Sequence, residues 1–334
     1  MITKNAKIVR FHEIGNADVL KIEEESIPNP IGDEITIKVD AIGLNRAEVM
    51  FREGQYLESP IFPSRLGYEV SGTIEAIGAE VTLFEVGDKV STIPAFSIGK
   101  YGVYGEFATV PEHAVVKYPD NLTAEEGTAI WMAYLTAYGA IIELAKAKAK
   151  DYILITAASS SVGLASIQIA KTEGLVVIAT TRTEDKKQFL LDSGADHVIV
   201  TNNEDLEDRV NQITNDIGVH IVFDPVGGSY LETLASAAAY QGIIIEYGAL
   251  SPEATPYPLF KSLQKGLSIR GYTLFEITKN PESLGRWKEY LFTKFREGAL
   301  KPIIDSTFSF DQIVEAHKYM ESNVQKGKII VTMQ

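Results

Sequence analysis

The chain has 334 residues, a formal net charge of −14 and no cysteine. That length accommodates two domains with separate cores. The acidic balance argues against nucleic acid or anionic membrane as a partner, and the missing cysteines exclude disulfides, thiolate catalysis and cysteine-ligated zinc.

The N-terminus lacks the apolar core of a signal segment, and no apolar run approaches the length of a membrane span; a cytoplasmic protein is expected. From Met1 to about Asn121 the pattern is β-rich. Lys7 to Phe11 and Val19 to Ile22 read as a hairpin pair, and Glu34 to Asp40 alternates strictly, as a half-buried strand does. Gly72 to Gly78 and Lys89 to Thr92 continue the series around a Gly87-Asp88 turn, and Ala108 to Val110 and Ala114 to Val116 follow. Short strands with frequent turn signals suggest a small barrel-like domain.

At Thr123 the period changes. Thr123 and Glu126 have capping-box spacing, and a helical stretch runs through Trp131 and Tyr138 to about Leu144. Ala145 to Lys150 reads as a surface turn. Ile153 to Ile155 is then a buried strand, Ala157 to Gly163 a turn of small residues, Leu164 to Lys171 a helix stopped by Gly174, and Val176 to Ala179 a second buried strand. Helices from Glu184 to Ser193, around Leu206 to Ile213, and from Gly228 to Ala239 alternate with strands at His197 to Val200, Ile221 to Phe223 and Gly242 to Glu246. Such alternation implies a doubly wound parallel sheet. The tail reads as strand (Leu267 to Gly271), helix (Pro281 to Glu297), strand (Thr307 to Phe310), helix (Asp311 to Met320) and strand (Lys328 to Val331). The expected division is 1–122 and 265–334 for the β-rich domain, with 123–264 inserted as the nucleotide-binding domain.

The βαβ unit is the minimum device for holding a dinucleotide, because small residues let a pyrophosphate reach the helix N–H groups. Its fingerprint is altered. Ala158 and Ser160 stand at the first two glycine places, and only Gly163 keeps its glycine. Ser159, Ser160 and Ser161 bring hydroxyls suited to phosphate oxygens, and Val162 lies between them and Gly163. An ordinary strand-turn-helix is the plainer alternative. The second strand ends Thr180-Thr181-Arg182, with Lys186 beyond. A carboxylate there would accept from the ribose hydroxyl of NAD; a cation and hydroxyls suit the 2′-phosphate of NADPH instead. Glu184 and Asp185 are close by, and Arg182 and Lys186 would also suit solvated helix pairs.

Several motifs, in this order and spacing, carry a resemblance over nearly the whole chain. They are Phe11-His12-Glu13, Gly43-Leu44-Asn45-Arg46-Ala47-Glu48, Arg52-Glu53-Gly54-Gln55-Tyr56, Gly67-Tyr68-Glu69-Val70-Ser71-Gly72, Val86-Gly87-Asp88-Lys89-Val90, Leu135-Thr136-Ala137-Tyr138, Asp224-Pro225-Val226-Gly227 and Gly327-Lys328-Ile329-Ile330-Val331. The chain resembles the zinc-independent, zeta-crystallin-like quinone oxidoreductases of the medium-chain dehydrogenase/reductase superfamily. The resemblance implies a GroES-like catalytic domain, a Rossmann domain, an active site in the cleft between them, and a homodimer joined through the Rossmann sheets.

Zinc-dependent relatives bring a cysteine, the histidine of a Gly-His-Glu run and a further ligand to the metal. Here Tyr68 stands at that histidine's place, and the five histidines have no paired metal spacing. No metal site is expected. Hydride transfer to a quinone or enone needs less help than alcohol oxidation, since the cofactor supplies the hydride and the protein supplies orientation and a hydrogen-bond donor.

By match to the family, Asn45 and Tyr56 are the expected catalytic residues, and Asn45 and Thr136 are expected near the nicotinamide. Cofactor contacts are expected from Val226, Tyr247, Gly248 and Ala249, and from Asn323 and Lys328 where some relatives close over the cofactor, beside the serine turn and Thr181, Arg182 and Lys186. Bacterial relatives grip the 2′-phosphate with Tyr and Arg, whose places here fall at Thr201 and Asn323, so the grip is thinner and Arg182 compensates. The alternatives are an enoyl-thioester reductase, whose basic entrance finds no obvious cluster beside Tyr56 although Arg52 and Arg65 are nearby, and a non-catalytic NADPH-binding protein.

Overall fold

The computed structural model describes residues 4–333. Two compact units result: residues up to Met132 together with Pro302 onward, and Ala133–Lys301.

In the first unit the long strand Glu34–Gly43 pairs antiparallel with Glu69–Ile77, with Phe107–Pro111 and, at its far end, with Lys328–Thr332. Lys328–Thr332 runs parallel to Ile304–Ser309, so the C-terminal segment returns to the first fold as expected. Its inward positions Ile35, Ile37 and Val39 are buried, whereas Lys38 and Asp40 face solvent, as period-two alternation requires. A smaller sheet pairs Lys4–Phe11 with Lys21–Ile27 and Ser64–Arg65. The hairpin's second strand therefore starts at Lys21; Ala17–Val19 is a 3-10 turn capped by Asn16.

In the second unit six strands form one parallel sheet: His197–Val200, Val176–Thr181, Tyr152–Ile155, Val219–Asp224, Ala238–Glu246 and Ser268–Gly271, in that order. Leu154, Ile178, Ile199, Val222 and Ile244 pack with Leu206, Val210, Leu231 and Leu234 of two helices to form a core. Chain order reverses between Tyr152–Ile155 and Val219–Asp224, so the ligand crevice lies at the carboxyl ends of those strands.

Two expectations change. Ser268–Gly271 is the sixth strand of the parallel sheet, and helix Pro281–Arg296 follows in the same unit, so the return segment starts at Pro302 rather than at 265. The helical stretch after Thr123 is broken into Ala124–Gly127, Trp131–Tyr138 and a wider-wound turn at Gly139–Leu144.

Candidate active site

Strand register assembles the site of the first unit. Gly43 lies opposite Glu69 on one side and Ile330 on the other. Asn45, two residues past Gly43, therefore meets Glu69 and Lys328. A Cβ on Gly43 would stand 2.9 Å from the Lys328 side chain and 2.4 Å from the Thr128 carbonyl, so only glycine lets the lysine stem pass. Lys328 Nζ donates to Glu69 Oε2 at 2.5 Å and to Asn45 Oδ1 at 2.6 Å. All three residues are buried.

Asn45 caps the helix Arg46–Arg52, and Glu48 in its first turn accepts the Asn45 backbone N–H at 2.6 Å. Asn45 Nδ2 donates to Glu69 Oε2 at 3.0 Å, with the Gly43 carbonyl at 3.2 Å and Glu48 Oε1 at 3.3 Å. Tyr104 donates its hydroxyl to Glu48 at 2.5 Å, and Tyr68 donates its backbone N–H at 3.1 Å. Burial pushes the Glu48 carboxyl up to about 7, against the pull of Tyr104, Lys328 and Asn45. Glu69 Oε1 accepts the Met132 N–H at 2.7 Å, a carboxylate at the start of helix Trp131–Tyr138.

At the far end of Arg46–Arg52, Arg52 is fully buried. It donates to the Gly15 carbonyl at 3.0 Å and to Glu321 at 2.8 Å, and His317 Nδ1 lies 3.2 Å away. Burial first and Arg52 second drive His317 down to about 3, so it stays neutral and accepts from the arginine. The segment after Arg52 carries Tyr56, half-buried and beside the ring of Tyr68. Asn323 is exposed, with φ +60, and accepts from Arg46 while donating to the Glu321 carbonyl. Its side chain is thus tied within this unit.

The second unit presents the crevice. Ala157 takes a left-handed φ of +44, and a Cβ on Gly163 would meet the Ala158 backbone at 2.5 Å. That close packing of turn and helix is why Gly163 alone survives of the three glycines. Ser160 caps helix Ser161–Thr172 by accepting the Gly163 N–H at 3.1 Å, so its hydroxyl is occupied inside the turn. Ser161 and Val162 are half-buried in the helix's first turn. Ser159 accepts from Lys186 Nζ at 3.1 Å. Thr181 is buried and donates to the Thr183 carbonyl; Arg182, the next residue, is exposed. Thr136 is buried on its helix.

At the carboxyl ends of the neighbouring strands, Asp224 and Glu246 sit side by side in register. Asp224 accepts from Thr156 and from the N–H groups of Val226 (3.0 Å) and Gly227 (2.7 Å). Burial raises the Asp224 carboxyl and, helped by Asp224's charge, brings Glu246 to about 9, so the pair holds a proton at neutrality. Tyr247 stacks on Phe223 with ring centroids 4.0 Å apart, and Gly248 and Ala249 follow in the open.

The motif reading missed Glu48, the Lys328–Glu69 pair and Glu246. Lys328 and Glu69 carried no signal of pairing along the chain, because strand register alone joins them. Asp224-Pro225 marked a strand end, but nothing marked Glu246 as its partner.

Two family models match this architecture: the alcohol dehydrogenase GroES-like domain over residues 32–120 and zinc-binding dehydrogenase over 161–289. A human quinone oxidoreductase is 32% identical over 99% of this chain and 98% of its own length. The chain belongs to the quinone oxidoreductase family. The family's zeta-crystallin-like, medium-chain dehydrogenase/reductase resemblance is thereby established, as is the α/β fold with a GroES-like domain and a Rossmann domain. The chain is accordingly an oxidoreductase. Among solved structures, Escherichia coli quinone oxidoreductase complexed with NADPH is 27% identical, with a TM-score of 0.90 over 98% of this chain and all of that one. The enoyl reductase CurK is 25% identical, with a TM-score of 0.88 over 98% of this chain and 99% of that one. Among the described residues no three His, Asp or Glu side chains converge as metal ligands, and no helix is long and apolar enough to cross a membrane.

Proposed function

We propose that this quinone oxidoreductase family member uses NADPH to reduce a quinone or an α,β-unsaturated carbonyl, without zinc. The observation that carries the reading is Lys186 reaching back 3.1 Å to Ser159, with Arg182 exposed beyond the second strand. A helix N-terminus, a serine and two cations fit a dinucleotide that ends in an extra phosphate. Val226 and Tyr247 to Ala249 supply the rest of the crevice edge, and Thr136 borders the nicotinamide. When bound, NADPH supplies the hydride.

This chain's own residues hold the acceptor and provide the proton. Tyr56 donates its hydroxyl to the acceptor oxygen as charge gathers there. Asn45 works by position: its amide oxygen is taken by Lys328 and its amide nitrogen by Glu69, so it fixes the helix that leads to Tyr56. Asn323, bonded to Arg46, lends the cofactor backbone or amide contacts from its loop. The ammonium of Lys328 lies against Asn45 and Glu69, and Tyr68 stands at the zinc relatives' histidine place, which supports zinc-free chemistry.

An enoyl-thioester reductase is favoured less. The arginines that would greet a phosphorylated arm are committed: Arg52 is buried, and Arg65 donates to Glu25 at 2.9 Å. A second copy of the chain is the expected partner. Strand Ser268–Gly271 leaves an open edge on the sheet, and Leu259, Phe260 and Leu263 are exposed on the preceding helix. The cytoplasm, where reduced NADP is abundant, is the proposed location. The test is to mix protein, NADPH and 9,10-phenanthrenequinone or an enone and follow nicotinamide absorbance. Acceptor-dependent oxidation is expected; none with any acceptor, despite NADPH binding, would leave the non-catalytic alternative standing. Light scattering reads the mass of the assembly.

A further inference from the structure

Tyr68 is buried and held at several points beside Tyr56. Its N–H donates to Glu48 at 3.1 Å, its carbonyl accepts from Thr92 at 2.7 Å, and only 1% of it is exposed. Its ring packs against Phe96 at 5.6 Å and lies edge-on to Tyr56 at 6.4 Å and 62°. The two phenol hydroxyls are hydrogen-bonded to each other. Of the two, Tyr68 is enclosed and Tyr56 half-open, so a proton donated by the enclosed hydroxyl leaves the Tyr56 proton to face outward. The Tyr56 segment is pinned at a second point, where Glu58 accepts from Ser97 Oγ at 2.5 Å and from the Gly99 N–H at 3.1 Å.

We propose that Tyr68 is a positioning residue for proton delivery: its hydroxyl donates to the Tyr56 oxygen and thereby aims the Tyr56 O–H outward at the acceptor. This rests on the reading of Tyr56 as the acceptor's proton donor. As the acceptor gains the hydride's electron pair, the Tyr56 O–H bond breaks and an O–H bond forms on the acceptor oxygen. The negative charge left on the Tyr56 oxygen is stabilised by the Tyr68 hydrogen bond until water returns a proton. Glu48 and Glu58, the charged groups that face Tyr56, both oppose that charge, which makes the Tyr68 donor matter more.

The experiment compares Tyr68→Phe, Tyr56→Phe and the double variant, with NADPH and 9,10-phenanthrenequinone or an enone. Tyr68→Phe should lower kcat about tenfold with acceptor KM unchanged, and the double variant should be no slower than Tyr56→Phe alone. Turnover of Tyr68→Phe within twofold of the parent, a change confined to KM, or single losses that multiply in the double variant would each overturn the proposal. A readout without turnover is the ring-carbon NMR titration of Tyr56, identified by its loss in Tyr56→Phe. Removing the Tyr68 donor should shift the Tyr56 titration to higher pH, and 3-fluorotyrosine at position 68, a stronger donor of the same shape, should shift it lower. An unmoved resonance overturns the dyad even if the phenylalanine variant fails to fold. A parent enzyme that oxidises no NADPH with any acceptor sinks the functional reading instead, while the titration still judges the pair.

Discussion

The two units build their functional surfaces by opposite means. The parallel-sheet unit offers main-chain N–H groups, a serine turn and cations at the tip of one βαβ stretch, all within a short run of sequence. The β-rich unit instead buries an ammonium and two carboxylates around an amide, drawn from positions as far apart as Asn45 and Lys328. The first surface tolerates water and is tuned for an anionic ligand; the second excludes water and is tuned for rigidity. Their variants should accordingly fail differently: in stability for the buried cluster, in ligand affinity for the crevice.

The largest effect should come from the buried pair. Lys328→Met removes the partner of a carboxyl group at zero exposure, and thermal or denaturant unfolding should report a loss of about 3–5 kcal/mol. Adding Glu69→Gln should recover most of that loss, since a neutral pair needs no compensation. Equal instability of the single and double variants would show that the lysine stabilises by packing alone.

Glu48 gives the comparison a pH axis. Its folded carboxyl is raised to about 7 from an ordinary value of 4.5. The folded protein therefore holds a proton that the unfolded chain has released between those values. Its contribution to stability is full below pH 4.5 and is lost as pH rises through about 7, by on the order of 3 kcal/mol. Other carboxylates slope either way, Glu246 with Glu48, and Glu23, Asp88 and Glu143 against it, so the quantity to measure is the difference between the parent and Glu48→Gln across that window. A difference that stays flat from pH 4.5 to 8 would show that Glu48 is ionised throughout.

The contrast also explains what could be read beforehand. The βαβ unit, its serine-lined turn and Arg182 lie within one local stretch, where period and small-residue spacing carry the message. The fold's class and the return of the C-terminal segment were legible for the same reason, one strand pattern at a time. Ser268–Gly271 was legible as a strand but not as a member of the parallel sheet, because its partner is chosen by tertiary pairing. Lys328 read as part of a closing strand near the cofactor, and Glu69 as one residue of a family motif. Neither residue's neighbours predict an ion pair, which exists because Gly43 faces both their strands. Glu246 was hidden likewise: it closes an apolar strand, and its carboxyl is raised by burial and by the Asp224 charge that strand register sets beside it.

On the crevice side, Arg182→Glu should weaken NADPH binding about 10- to 100-fold by calorimetry, as expected for losing one charge-assisted contact and adding repulsion. NADH binding and the unfolding midpoint should change little, because the side chain is exposed. Equal losses for both cofactors would place the 2′-phosphate elsewhere.

The smallest effect is the most diagnostic of how the crevice is made. Ser160 was expected to serve phosphate directly, yet its hydroxyl accepts the Gly163 N–H and caps the helix. Ser160→Ala should therefore cost about 1 kcal/mol of stability, the usual value for a lost cap. The freed Gly163 N–H remains available to the ligand, so NADPH affinity should fall by less than tenfold. Ser159→Ala, which removes the oxygen that holds Lys186, should reverse the ranking: little change in unfolding, and a larger loss for NADPH than for NADH. If Ser160→Ala instead abolishes binding while stability is unchanged, the hydroxyl leaves its cap when the phosphate arrives, and the crevice is assembled by the ligand rather than by the helix.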